Sequence, residues 1–105
     1  MDPRIKKLAD ILVHYSCKVQ KGEKVLISYE GDSTKPLAKQ LVKEVYACGG
    51  LPYVEIRDSS MTREILLSCQ EDQLNFMNEY LLAQMKGMDA YIAIRASDNT
   101  AELSD

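Results

Sequence analysis

The chain has 105 residues, of which 46% are apolar and 28% charged, and its net charge is −3 with an isoelectric point near 5.1. This composition is that of one globular domain with a core of its own. Lysines are dispersed among carboxylates, so the sequence lacks the basic patch of a nucleic-acid-binding protein and the basic helix of a membrane-surface protein.

Targeting signals and cysteine spacing also narrow the class of protein. No apolar run approaches the roughly 18 residues of a membrane span, and the amino terminus lacks a secretory signal pattern. Cys17, Cys48 and Cys69 are odd in number and match neither a zinc nor a redox spacing. We therefore expect a cytoplasmic protein whose three thiols are free and lie in the core or near the surface.

The first predicted helix runs from about Pro3 to Val19, with Asp2 as its N-cap. His14 lies on its polar side, where we expect it to face water and to pair with Asp10 four residues earlier. A catalytic or metal-binding role for His14 would need a partner that the local spacing does not provide. The apolar stripe of this helix consists of Ile5, Leu8, Ala9, Leu12, Tyr15 and Val19.

Residues 24–57 predict a strand, a helix and a second strand. The short apolar run Val25–Ile27 is typical of a strand that is buried on both faces. A polar turn then leads into a helix that is capped by Asp32 or Ser33 and ends at Gly49. The predicted buried stripe of this helix is Leu37, Ala38, Leu41, Val42, Val45 and Cys48.

Two further strand patterns define the sheet. Pro52–Arg57 alternates in polarity, with Val54 and Ile56 on one face, and its proline suits an edge strand. Ala90–Ile94 does not alternate, so we expect it to be central. Crossover connections join parallel strands, which predicts a three-layer α/β fold with a parallel sheet of about three strands in the order 2-1-3, half of a doubly wound fold.

The region from residue 60 to residue 88 predicts two helices. Ser60 is expected to cap the first, and Ser68–Glu71 has the form of a capping box for the second, which ends at Gly87. The stripe of the second helix predicts core packing rather than a binding groove, because methionine fills irregular gaps. This stripe consists of Leu74, Met77, Leu81, Met85 and Met88.

In open parallel sheets, ligands bind beyond the carboxyl ends of the strands, which here places a candidate crevice between Tyr29–Ser33 and Arg95–Asn99. The amino end of the following helix would favour an anion there. The loop has one glycine and neither a dinucleotide nor a phosphate-loop motif. Glu30 and Asp32 are the acidic pair nearest this crevice, whereas Glu71-Asp72 is explained by the first turn of a helix. An anion site and an ordinary capped turn both remain open.

Several stretches form a recognisable set when taken together. They are Leu8–Ser16, Val19–Ile27, Pro36–Ala38, Ala47–Val54 and Asp89–Ile94, followed by Asn99. The most specific is Tyr-Ser-Cys-Lys-Val-Gln-Lys-Gly-Glu-Lys-Val-Leu-Ile, from Tyr15 to Ile27. In this order and spacing, the set resembles the amino-terminal domain of the thermophilic-type metallo-aminopeptidases, the aminopeptidase T and aminopeptidase S family (peptidase family M29).

The resemblance implies longer, two-domain, dimeric enzymes that remove amino-terminal residues from peptides with two divalent metal ions, zinc or cobalt. It places the ligands of those ions (two glutamates, two histidines, an aspartate and a tyrosine) in a carboxyl-terminal domain. No position of this chain matches them, so no residue is assigned as catalytic, cofactor-binding or metal-binding, His14 included.

Residues 1–105 are accordingly expected to form a single α/β domain, the amino-terminal fragment of such an enzyme, inactive alone and partnered by its own carboxyl-terminal catalytic domain. One alternative is a stand-alone α/β module that binds a small molecule or anion at Tyr29–Ser33. Another is a pure interaction domain with an apolar patch beside the third strand.

Overall fold

In a computed structural model of the chain, residues 2–96 are described. No helix among them is both long enough and apolar enough to cross a bilayer. In chain order the elements are α1 (Pro3–Asp10), a π-helical segment (Ile11–Ser16), β1 (Lys24–Glu30), a 3-10 turn (Asp32–Thr34), α2 (Lys35–Ala47), β2 (Leu51–Arg57), α3 (Ser59–Leu67), α4 (Glu71–Lys86) and β3 (Ala90–Arg95).

The three strands form one parallel sheet in the order β2-β1-β3, as the sequence predicted. In the register of the sheet, Ile27 of β1 lies opposite Val54 of β2 and Ile92 of β3. Four consecutive β1 residues, Val25–Ser28, are buried, which confirms a central strand covered on both faces. β2 pairs with β1 along one side, which confirms its prediction as an edge strand.

The prediction of a central β3 was wrong for the part of the chain that the structure describes. There β3 pairs with β1 alone, and its burial alternates. Ile92 is 5% exposed, whereas Tyr91 on the other face is 37% exposed. The run Ala90–Ile94 is uniformly apolar because Tyr91 and Ala93 are tolerated on a face that is only partly covered. Hydropathy alone therefore did not indicate that β3 lies at the edge of the described sheet.

α1 and α2 cover one face of the sheet and enclose the core. The predicted stripe of α2 packs there as expected, with Leu41 and Val45 fully buried. Cys17, Cys48 and Cys69 are free and half-buried, in agreement with the sequence prediction. The buried core residues are Ala9, Val13, Val19, Val25, Ile27, Ala38, Leu41, Val45 and Ile92.

The first helix differs from its prediction in both length and face. Asp2 caps it as expected, accepting a hydrogen bond from Arg4 N at 2.9 Å. The α-helix ends at Asp10, however, and continues as a π-helical segment in which Cys17 N donates to Leu12 O at 3.0 Å. The wider turn changes which residues face the core, so Val13 is buried and Tyr15 is 70% exposed.

Three helix starts also differ from the sequence prediction. A 3-10 turn at Asp32–Thr34 precedes α2, so neither Asp32 nor Ser33 is its N-cap. Asp58 rather than Ser60 caps α3, since its carboxylate accepts hydrogen bonds from two amides of the first turn. The capping box of α4 is formed by Gln70 and Gln73, two residues later than predicted. At α3, Asp58 is as good an N-cap by residue type as the predicted Ser60, so the sequence alone does not choose between them.

α3 and α4 lie over the opposite face of the sheet, which carries Leu26, Ser28 and Glu55. This face is covered more loosely than the other, because α3 and α4 make few contacts with the sheet compared with α2. The expected core packing of the α4 stripe is therefore wrong within residues 2–96. Its members Leu74, Leu81 and Met85 are each more than 40% exposed.

Candidate functional site

The carboxyl edge of the sheet does not open into the predicted crevice at the residues described. Ala96 N donates to Glu30 O at 2.8 Å, so the ends of β1 and β3 remain hydrogen-bonded. Gly31 has φ +95°, and a Cβ placed on it would lie 2.6 Å from Cβ of Ala96. The backbones following the two strands are thus in direct contact. The rest of the predicted crevice, residues 97–99, lies outside the described residues.

Glu30 is held by the start of α3 rather than by the loop that follows it. Its carboxylate accepts hydrogen bonds from Ser59 N at 3.0 Å and from Ser59 Oγ. These hydrogen bonds hold the pKa of Glu30 below its ordinary value, with a smaller contribution from Arg95 and an opposing one from Asp58. Asp32, the other member of the predicted acidic pair, is exposed in the 3-10 turn.

A depression of about 240 Å³ lies beside Glu30. Next to it, the Glu55 carboxylate accepts hydrogen bonds from Ser28 Oγ and Gln84 Nε2, both at 3.3 Å. The hydroxyls of Ser28 and Ser59 both donate to carboxylates, and the single histidine of the chain is elsewhere. This arrangement can form hydrogen bonds to a polar group, but it contains no imidazole that could activate a nucleophile. The lining residues are Ser28, Glu30, Arg57, Ser59, Ala93, Ile94 and Arg95.

A larger depression of about 530 Å³ separates α3 and α4 from the sheet. Apolar side chains dominate its walls, among them Ile65, Met77, Leu81 and Met85, while Tyr91 contributes from β3. It corresponds to the loose packing of α4, and its walls carry no nucleophile with an adjacent base. Such a surface is suited to contact with another apolar surface.

Potential metal ligands converge on the other side of the molecule. Among residues 2–96, Asp10, His14 and Glu44 form the one group of three His, Cys, Asp or Glu side chains whose ligand atoms all lie within 4.8 Å of one another. The predicted pair is present, with His14 Nε2 3.4 Å from Asp10 Oδ1. Glu44 was not predicted as a candidate ligand from the sequence, because it lies next to Val45 on a helix whose apolar stripe explained the burial of that face.

Comparison with known proteins identifies the family to which this chain belongs. A sequence profile described as thermophilic metalloprotease (M29) matches residues 1–105. The chain belongs to this family. No curated protein sequence matches it significantly. Among solved structures, this M29 chain is similar to wild-type AmpT from Thermus thermophilus, with a TM-score of 0.63 and 22% sequence identity. That match covers 90% of this chain and 25% of the AmpT chain.

The metal that the family name implies can be tested against the residues of this M29 chain. A two-ion peptidase centre needs several carboxylates and histidines around ions about 3.5–4 Å apart. The chain has one histidine, and the one group of three candidate ligands among residues 2–96, namely Asp10, His14 and Glu44, has too few side chains for two ions. The described residues therefore do not fit a two-ion centre, and we derive no catalytic step from them. The absence of catalytic, cofactor-binding and metal-binding assignments in the sequence analysis stays a prediction.

Proposed function

We propose that this chain is the amino-terminal, non-catalytic domain of a metal-dependent aminopeptidase. The observation that carries the proposal is the extent of the two matches. The M29 profile matches the chain over residues 1–105, while the structural match covers only 25% of the AmpT chain. In this proposal, the two divalent ions, zinc or cobalt, are held by a carboxyl-terminal domain that the 105 residues do not include.

The exposed apolar surface of α3 and α4 supports a scaffolding role. Leu66, Leu67 and Phe76 of α3 and α4 are each more than half exposed. Apolar area of this kind stabilises a protein when it is removed from water. We propose that the catalytic domain packs against α3, α4 and the edge of β3 that is unpaired among residues 2–96. The domain would then flank the cleft, restrict which peptides enter it, and support a homodimer of the parent enzyme.

The proposal is tested by assaying the purified 105-residue chain on a panel of aminoacyl-4-nitroanilides with added cobalt or zinc. We expect no turnover above the buffer and metal blanks, because the chain has one histidine and residues 2–96 do not fit a two-ion centre. A known aminopeptidase assayed in parallel shows that the substrates and metals are competent. Hydrolysis that co-purifies with the folded chain, and that is lost when the chain is immunodepleted, would refute the non-catalytic role.

The alternative of a stand-alone anion-binding module receives less support from the geometry. Gly31 and Ala96 meet where the crevice was expected, and Glu30 puts a carboxylate beside it. The 3-10 turn at Asp32–Thr34 also displaces the amino end of α2 from the end of β1. Thermal-shift screening with nucleotides, phosphate and amino acids separates the two functions, and we expect no stabilisation by any anion at millimolar concentration.

A further inference from the structure

We propose that Asp10, His14 and Glu44 bind one divalent transition-metal ion and thereby join the first helical unit to α2. Asp10 ends α1, His14 lies in the π-helical segment, and Glu44 lies in the penultimate turn of α2. The three ligands therefore come from two separate helices. The inference goes beyond the proposed function, because it concerns residues of this chain and assigns them no part in peptide hydrolysis.

The distances suit a common ion. Nitrogen and oxygen ligands bind zinc at about 2.0–2.2 Å, so two ligands of a tetrahedral site lie roughly 3.3 Å apart. The separation of His14 Nε2 and Asp10 Oδ1 is 3.4 Å, which already fits. Glu44 lies within 4.8 Å of both, so its carboxylate needs to move by roughly 1.5 Å at most to complete the set.

The burial of Glu44 is consistent with a metal ligand, although its carboxylate also has a cationic neighbour in Lys6. The residue is 8% exposed, and buried carboxylates are normally paired or bound to metals. Its nearest cation is Lys6, whose Nζ lies 3.6 Å from Glu44 Oε1, an ion pair longer than a hydrogen bond. The Lys6 side chain is 64% exposed and can swing into water. A dication would then balance the two carboxylates, Asp10 and Glu44, without requiring Lys6.

The ligands are anchored by their neighbours in sequence. Ala9 precedes Asp10, Val13 precedes His14 and Val45 follows Glu44, and all three of these residues are fully buried. The backbone beneath each ligand is thus fixed by core packing, which lowers the cost of ordering the side chains around an ion. Asp10, His14 and Glu44 do not line either of the two depressions described above.

The ligand types define the class of metal. One imidazole nitrogen with two carboxylate oxygens favours zinc, cobalt or nickel over calcium and magnesium, which prefer oxygen-only sites. Cys17 is the one thiol within a helical turn of His14 and is the obvious competitor. The absorption spectrum of bound cobalt distinguishes the two cases, because a thiolate ligand adds an intense near-ultraviolet charge-transfer band.

The test is a titration of the tag-free chain with Co²⁺ and Zn²⁺, followed by cobalt absorption and by calorimetry. We expect one ion per chain, a cobalt spectrum without a thiolate band, and a rise of several degrees in Tm with zinc. The variants His14→Gln and Glu44→Gln should each weaken binding at least tenfold. Lys6→Gln should tighten it, because the competing cation is removed.

Controls separate a metal site from an ordinary group of ion pairs. Glu79→Gln changes an exposed carboxylate of α4 and should leave affinity unchanged, as should Cys17→Ser. Circular dichroism and the metal-free Tm of each variant establish that it is folded. His14→Gln affects an exposed side chain, so it stays interpretable even where Glu44→Gln destabilises the chain. No saturable binding, an affinity unchanged by His14→Gln, or binding lost in Cys17→Ser would overturn the proposal.

Discussion

Gly31 is the residue on which the carboxyl edge of the sheet depends most. Its positive φ disfavours any side chain, and its missing Cβ makes room for Ala96. The sequence indicated a turn at this glycine but could not indicate the contact with Ala96, which lies 65 positions later. Long-range approach of this kind is set by strand register, and no local pattern encodes it.

Replacing Gly31 with alanine should therefore cost more stability than the same change at Gly22. Gly22 also has a positive φ, but nothing lies within 4 Å of a Cβ placed there. Gly22→Ala reports backbone strain of about 1–2 kcal/mol, and Gly31→Ala should add about 1–3 kcal/mol of steric overlap with Ala96. Urea denaturation of the two variants measures the difference, and equal costs would show that β3 does not approach Gly31.

The carboxylate of Glu30 gives a pH-dependent prediction. Its pKa is lowered in the folded chain by Ser59, so its contribution to stability is present above the unfolded pKa and is lost as the pH falls through the folded pKa. Ser59→Ala removes the hydroxyl hydrogen bond and should raise the pKa of Glu30 part of the way back. An NMR titration of the Glu30 side chain measures this pKa directly.

Ser60→Ala provides the matched control for this titration. Ser60 Oγ donates to Asp58 rather than to Glu30, so this change should raise the pKa of Asp58 and leave that of Glu30 in place. If both variants shifted Glu30 equally, the contact between Glu30 and the start of α3 would not exist.

For the first helix, the periodic pattern predicts some features correctly and fails for others. The cap at Asp2, the proline in the first turn and the pairing of His14 with Asp10 follow from local spacing, and all three are present. The π-helical turn is not local in origin. It places Val13 rather than Tyr15 in the core where the end of the helix packs against α2, and a fixed helical period cannot represent such a change.

Two alanine substitutions test this change of face. Val13 is 0% exposed and Tyr15 is 70% exposed. Val13→Ala removes buried carbon atoms and should destabilise the chain by about 2 kcal/mol. Tyr15→Ala should change stability by no more than about 0.5 kcal/mol. Chemical denaturation of both variants measures which substitution costs more stability. A larger loss of stability for Tyr15→Ala would support the regular α-helix that the sequence predicted.

The layered α/β architecture follows from the sequence, while the degree of packing on each face does not. β1 was predicted correctly because a strand that is buried on both faces has a continuous apolar sequence. The buried stripe of α2 was predicted correctly because its apolar residues recur with the period of a helix. α3 and α4 were placed correctly as helices, but the apolar stripe of α4 gave a false expectation of core packing. An apolar stripe indicates that one face of a helix is suited to burial. It does not indicate whether the residues that bury this face belong to the same chain.

The candidate metal ligands were likewise predictable from the sequence only in part. His14 and Asp10 were paired from their spacing, whereas Glu44 joined them only through the packing of α2 against the first helical unit. A buried glutamate beside an apolar stripe is a weak signal in a single sequence. It becomes informative once two helices are placed side by side.

We propose that these 105 residues form an M29 scaffold domain without a two-ion peptidase centre. The most direct test is to load the folded, tag-free chain with cobalt, desalt it, and measure the metal retained per chain by elemental analysis. We expect no more than one ion per chain, and that ion should be lost in His14→Gln. Two ions retained per chain, in a protein that remains folded and monodisperse, would contradict it.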